Sequence, residues 1–175
     1  MPSQSASTRS STNRQTATRK SRAAAKNALV LLRADHDAVL ELFEKFERAS
    51  REDQKQKLAD QICNELTIHT TIEEEIFYPE IREAQAEDAE DALDEAEVEH
   101  DGAKKLIAEI QGSEPGAELF DAQLKVLGEY VKHHIKEEYR SIFPAAKKSG
   151  IDLDEMGERL GARKRELKAD QQRRH

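Results

Sequence analysis

Apolar and polar residues follow one another along most of the chain at the 3–4 residue period of helices that bury one face. Asn27 predicts an N-cap, and behind it come Leu29, Leu32, His36, Val39, Phe43 and Phe46, at intervals of 3, 4, 3, 4 and 3. A polar break at Ser50 to Gln54 separates this segment from a second one, Ile62, Leu66, His69, Glu73 and Ile76, which continues to Ala84. The third starts near Glu87 and carries Leu93, Ala96, His100, Ala103, Ile107 and Ile110, before a break at Gly112, Pro115 and Gly116. The fourth carries Phe120, Leu124, Leu127, Val131, His134 and Glu138. After Ser149 and Gly150, the positions Leu153, Met156, Leu160 and Leu167 predict a short fifth helix packed outside. Short breaks between long helices favour antiparallel neighbours, so the predicted fold is all-α, an up-down four-helix bundle with a short C-terminal fifth helix.

The pattern also repeats. Asp35-His36-Asp37 recurs as Glu99-His100-Asp101 after 64 residues, and His69-Thr-Thr-Ile-Glu73 recurs as His134-Ile-Lys-Glu-Glu138 after 65. In each half a proline, Pro79 or Pro144, follows the histidine by ten residues. Two equivalent helix pairs imply approximate two-fold symmetry. Each proline removes a backbone bond to the carbonyl four residues back, at Glu75 and Arg140, so both helices are predicted to kink or end beyond Glu73 and Glu138.

The chemistry lies in what occupies the apolar stripes. His36, His69, His100 and His134, one per helix, fall at core positions, and Glu73 and Glu138 follow two of them by one turn. With a stripe covering about three-sevenths of a helix, four unrelated histidines would all fall inside it about 3% of the time. A core-facing glutamate is costly unless it is paired or binds a cation. Four imidazoles and two bridging carboxylates would give each of two metals two nitrogens and two oxygens. An octahedral ion then keeps open positions, a set that suits iron(II), with manganese and zinc as competitors. No thiolate lies in the stripes, which disfavours iron–sulfur and blue-copper sites. Tyr130 and Glu65, each one turn before a stripe histidine, are candidates for holding an imidazole tautomer. Glu74, Glu75 and Glu137 are expected on solvated faces, His133 beside the site, and Phe43, Phe46, Phe77, Phe143 and Cys63 in ordinary core.

The order His36 … His69-x-x-x-Glu73 … His100 … His134-x-x-x-Glu138 resembles the hemerythrin-like, HHE cation-binding family over roughly residues 27–148, and residues 149–170 resemble a C-terminal helix of some bacterial members. The resemblance implies an antiparallel four-helix bundle with two non-haem irons that binds or reduces dioxygen, nitric oxide or peroxide. The oxygen-carrying hemerythrins have His-x-x-x-His in the third helix and end with His-x-x-x-x-Asp. Here the third helix reads His100-Asp-Gly-Ala-Lys104 and the fourth ends in Glu138. A fifth histidine is absent, which implies an extra open position and leaves room for peroxide chemistry, sensing or iron handling. Binding or sensing is the first expectation. A peroxide-consuming enzyme is the alternative, and an interaction protein stapled by a structural metal comes last.

Composition divides the chain. Residues 1–26 hold six basic residues, ten Ser or Thr and no acid, and they predict a disordered tail. Taking those six charges from the net −8 leaves −14 on the rest. The expected partition is therefore a tail over 1–26, the bundle over 27–148, and a C-terminal helix and tail over 149–175. Such a tail can touch polyanions nonspecifically or fold back on the acidic body, and no specific nucleic-acid partner is expected. A single cysteine excludes an internal disulfide framework, and no apolar run approaches a membrane span or a secretory signal. The expected location is cytoplasmic.

Overall fold

Asn27 begins the first helix as its sequence suggests: its side-chain oxygen accepts the Leu29 N–H at 3.0 Å, satisfying a donor the first turn leaves free. The computed structural model describes residues 27–84, 86 and 89–174. The predicted tail, 1–26, and the predicted start of the third helix at Glu87 lie outside the described residues. Among the described residues, all regular structure is helical: α1 Ala28–Arg48, α2 Glu52–Ile72, α3 Tyr78–Glu83, α4 Glu90–Gln111, α5 Phe120–Glu137, α6 Phe143–Lys148 and α7 Leu153–Arg174. Two π-helical turns, Glu73–Phe77 and Glu138–Ile142, join α2 to α3 and α5 to α6. Five helical rods result. None of the described helices is long and apolar enough to cross a membrane.

The π turns replace the kink or stop expected from the prolines. They begin at Glu73 and Glu138 themselves, and the Tyr78 and Phe143 N–H groups donate five residues back to the carbonyls of these two glutamates. Pro79 and Pro144 then fall in the first turn of α3 and α6, where a missing N–H costs little. The extra residue also rotates the side chains downstream of it. Ile76, which the uninterrupted period places in the core, is half-buried, and Phe77 is fully buried in its stead.

In the bundle α1 packs on α2 and α5, and α4 on the same two helices. Every other stripe position of the four long segments is buried. The core is split into two apolar bodies. One gathers Phe43, Phe46, Ile62, Leu66, Ile107 and Leu124 with their neighbours; the other gathers Leu32, Ile72, Phe77, Ile81, Leu93 and Phe143. The stripe histidines and glutamates form a polar layer between them, halfway along the rods.

The fifth helix is not short. α7 runs 22 residues against α1, α2 and the first π turn. Gly150 lets the chain reverse into it with φ +80°. Among its described residues Met156, Gly157 and Leu160 are buried, and the Met156 and Leu160 side chains join the second apolar body. Further along, its inner face is cationic: Arg159 pairs with Glu80, Arg163 with Glu75, Lys164 with Asp35 and Lys168 with Glu65. An apolar period cannot reveal a helix seated on ion pairs, which is why the stretch looks short in sequence.

Candidate metal centre

One histidine from each of the four bundle rods reaches the polar layer, and the Nε2 atoms meet in pairs. His36 and His69 approach to 2.9 Å, His100 and His134 to 3.1 Å. The two glutamates lie between the pairs. Glu73 Oε1 is 3.2 Å from His69 Nε2 and its Oε2 is 3.5 Å from His100 Nε2. Glu138 Oε2 is 3.2 Å from His36 Nε2 and 3.8 Å from His134 Nε2. All six residues named from the sequence are buried and meet in one place. Their donor atoms fall into two groups, each within 4.8 Å of one another: His36, His69, Glu73 and Glu138, and then Glu73, His100 and His134. Glu73 belongs to both.

The opposite face of the rings decides which nitrogen is free. His100 Nδ1–H donates to Glu74 Oε1 at 2.9 Å, and His134 Nδ1–H donates to Glu99 Oε2 at 2.9 Å. A carboxylate only accepts, so it keeps the proton on Nδ1 and turns the Nε2 lone pair inward. His36 Nδ1 meets the Tyr139 hydroxyl at 3.0 Å. His69 Nδ1 faces Asp35 Oδ2 at 3.9 Å, too far for a hydrogen bond, while Lys164 of α7 holds the other Asp35 oxygen at 2.5 Å. Converging lone pairs repel one another unless a proton or cation sits among them.

These supports obey the internal repeat. Asp35 and Glu99 each precede a stripe histidine and face the histidine of the next rod. Glu74 and Tyr139 each follow a stripe glutamate and hold the ring across the bundle. Tyr78 and Phe143 each stack on a histidine, His100 at 5.5 Å and His36 at 6.1 Å between ring centroids. The hydroxyl breaks the symmetry. Tyr78 OH donates to Glu138 Oε1 at 3.2 Å and stands 3.5 Å from both His100 Nε2 and His134 Nε2.

Several sequence expectations are corrected by these contacts. Glu65 pairs with Lys168 and does not hold His69; Tyr130 is half-exposed and does not hold His134. Glu74 is no solvated glutamate, since it binds His100 and Lys104, whereas Glu75 is exposed as expected, where Arg163 pairs with it. His133 does lie beside the site, its side chain exposed and its Nε2 3.2 Å from Glu99. Cys63 is core, its thiol pushed up to about 12 by burial and the nearby Asp60 charge. Tyr78, Tyr139, Asp35 and Glu99 are the groups sequence reasoning passed over.

Burial and charge set the protonation. Burial, reinforced by the Glu138 charge, raises Glu73 well above the ordinary 4.5. Burial would raise Glu138 too, but the His36 imidazole 3.2 Å away and the charges of His134 and His69 outweigh it and bring Glu138 to about 2. Burial pushes His69 down to about 4 against the pull of Asp35, and lowers His100 despite Glu74. His134 is raised, because Glu99 and Glu138 overcome its burial. A cation entering this layer must therefore displace protons from Glu73 and His134. Cation affinity is expected to strengthen as pH rises toward the raised values of Glu73 and His134, with proton release on binding; calorimetry in two buffers of different ionisation enthalpy reads it, and a pH-independent affinity would contradict this protonation scheme.

The site also fits a cation by what it leaves undone. Both oxygens of Glu73 and Oε2 of Glu138 lack a hydrogen-bond donor although fully buried. Such atoms cost free energy unless a cation takes the donor's place.

Comparison with known proteins agrees. A DNA nickase of Nostoc sp. (strain PCC 7120 / SAG 25.82 / UTEX 2576) is 29% identical over 116 residues, 66% of this chain and 32% of the nickase. The chain thus spans about a third of that relative's length. The crystal structure of a Hemerythrin HHE cation binding domain-containing protein from Mycobacterium kansasii superposes with a TM-score of 0.71 at 23% identity, covering 83% of this chain and 89% of the other, so the bundle is shared. The Hemerythrin HHE cation binding domain matches residues 27–146. With its buried His/Glu clusters standing inside that span, the chain belongs to the Hemerythrin HHE cation binding family.

Proposed function

We propose that the chain is a non-haem di-iron protein that binds or senses dioxygen, nitric oxide, peroxide or iron itself, with His36, His69, Glu73, His100, His134 and Glu138 as ligands. The observation that carries the reading is Glu73: fully buried, both oxygens without donors, and set between two converging imidazole pairs. Nitrogen and carboxylate donors without thiolate suit iron, with manganese or zinc as substitutes. Bound iron would supply open coordination positions and one-electron redox chemistry. The chain supplies the rest: Glu74, Glu99 and Tyr139 orient the rings, and two apolar bodies exclude water. A cavity of about 30 Å³ touches all four histidines and is walled by Val39, Leu66, Ala103, Val131 and Ile135. That is room for a ligand of two or three atoms.

One observation favours the enzyme reading as an alternative. The Tyr78 hydroxyl is a proton donor inside the centre, and burial together with the Glu138 and Glu73 charges raises its pKa far enough to keep it a phenol. A positioned acid is what peroxide turnover requires. Elemental analysis should give close to two irons per chain, and the spectrum of the reduced protein should change on adding dioxygen, nitric oxide or peroxide. Protein containing no metal after expression in iron-rich medium would refute the reading. Steady oxygen evolution from peroxide would select the enzyme over the sensor.

A further inference from the structure

The cavity beside the four histidines has one weak side. Nearly all of its wall is buried; only Glu99 and Tyr130 reach the surface, at the seam where α4 meets α5. The two differ in how firmly they are held. Glu99 is fixed by the Nδ1 of His134 at 2.9 Å and the Nε2 of His133 at 3.2 Å. Tyr130 is 50% exposed and makes no hydrogen bond among the described residues. Its ring lies across the seam on Gly102 of α4, with a ring carbon 3.8 Å from where a Cβ would stand. A glycine in the middle of a helix costs about 1 kcal/mol relative to alanine, and a Cβ at Gly102 would stand in ordinary van der Waals contact with the tyrosine ring. A side chain longer than alanine at 102 would meet the ring.

We propose that Tyr130 is the gate through which small ligands reach the centre, with Glu99 as the fixed jamb and Gly102 as the seat of the closed ring. The gate rests on the proposed function, in which the centre takes an exogenous ligand. An unbonded tyrosine at a surface seam changes rotamer faster than any buried wall residue can move. Swinging outward, it exposes a passage bounded by Ala103 and Val131, both small enough to leave it open. Closed, it leaves a space for two or three atoms only. Tyr130 thus sets both the rate of entry and the size of what enters, while making no hydrogen bond to any of the six proposed ligands.

The test uses the full chain loaded with iron and reduced, mixed in a stopped-flow instrument with nitric oxide, hydrogen peroxide or tert-butyl hydroperoxide. Each peroxide takes two electrons from the iron(II) pair and, with two protons, leaves water and either a second water or tert-butanol. In the wild type the bulky peroxide is expected to react at least about tenfold more slowly than hydrogen peroxide. In Tyr130→Ala the bulky peroxide should gain about tenfold or more, with iron content and helicity unchanged. Tyr130→Phe should behave as wild type, and Tyr130→Trp should slow nitric oxide binding. If Tyr130→Ala, fully loaded, discriminates between the two peroxides as the wild type does, the gate is refuted while the ligand reading stands. If the loaded wild type reacts with none of the three probes, the ligand reading falls and the gate with it.

Discussion

Glu73→Leu is expected to abolish cation binding and, in the same protein, to raise the stability of the metal-free fold by about 1–4 kcal/mol. The two effects share one cause. Glu73 is fully buried, neither of its oxygens has a donor, and Glu138 stands beside it as a second acid. Without a cation, this is a polar group removed from water with nothing in exchange. Leucine has similar volume and extends the apolar bodies on either side. The metal is lost because Glu73 alone belongs to both groups of donors. At roughly 2–4 °C per kcal/mol for a chain of this size, the melting temperature of the metal-free variant should rise visibly above that of the metal-free wild type. The pH dependence supplies a second readout. Glu73 is raised in the fold, so it keeps its proton where the unfolded chain has released it. Its contribution is present below the ordinary 4.5 and is lost as pH climbs toward the folded value. The wild type should therefore weaken over that interval, and Glu73→Leu should lack this part of the slope. A variant that unfolds more easily than the metal-free wild type at every pH would show that Glu73 is stabilised by something other than a cation.

The six proposed ligands were legible because a polar residue at a core position breaks a one-dimensional pattern. Asp35 and Glu99 were visible too, as the acid before each repeated histidine, but each serves the histidine of the next rod. Only the packing of one rod on another reveals that. Glu74 and Tyr139 occupy equivalent positions yet share no side-chain chemistry, so the repeat hid them. Tyr78 was displaced by the π turn: counted at 3.6 residues per turn it falls off the stripe, and the extra residue brings it inward. The fold was readable for the same reason the ligands were, since four stripes of apolar residues point to four rods. Where a helix meets its neighbours through charged side chains, as along the second half of α7, the period falls silent.

Leu160→Ala tests what holds that last helix. The expected loss is about 2–5 kcal/mol, the cost of truncating a fully buried leucine whose surroundings cannot collapse. Leu160 is 0% exposed, and beside it Met156 is the other α7 residue buried in the second apolar body. Arg163→Ala removes the paired contacts to Glu75 at 2.6 and 3.0 Å, yet both partners are a third or more exposed. Ion pairs in that setting contribute about 0–1 kcal/mol, and less as salt screens them. Denaturant unfolding of the two variants in low and high salt should therefore rank Leu160→Ala well below Arg163→Ala in stability, with the gap preserved in salt. The ion pairs then choose where α7 lies along α1 and α2, and the two buried side chains supply most of its adhesion. If Arg163→Ala proves the more damaging and its effect fades in salt, the order is reversed, and α7 is a charged strap that ionic strength can loosen. That outcome would reach the centre directly, because Lys164 on the same face holds Asp35, and Asp35 is the acid facing His69.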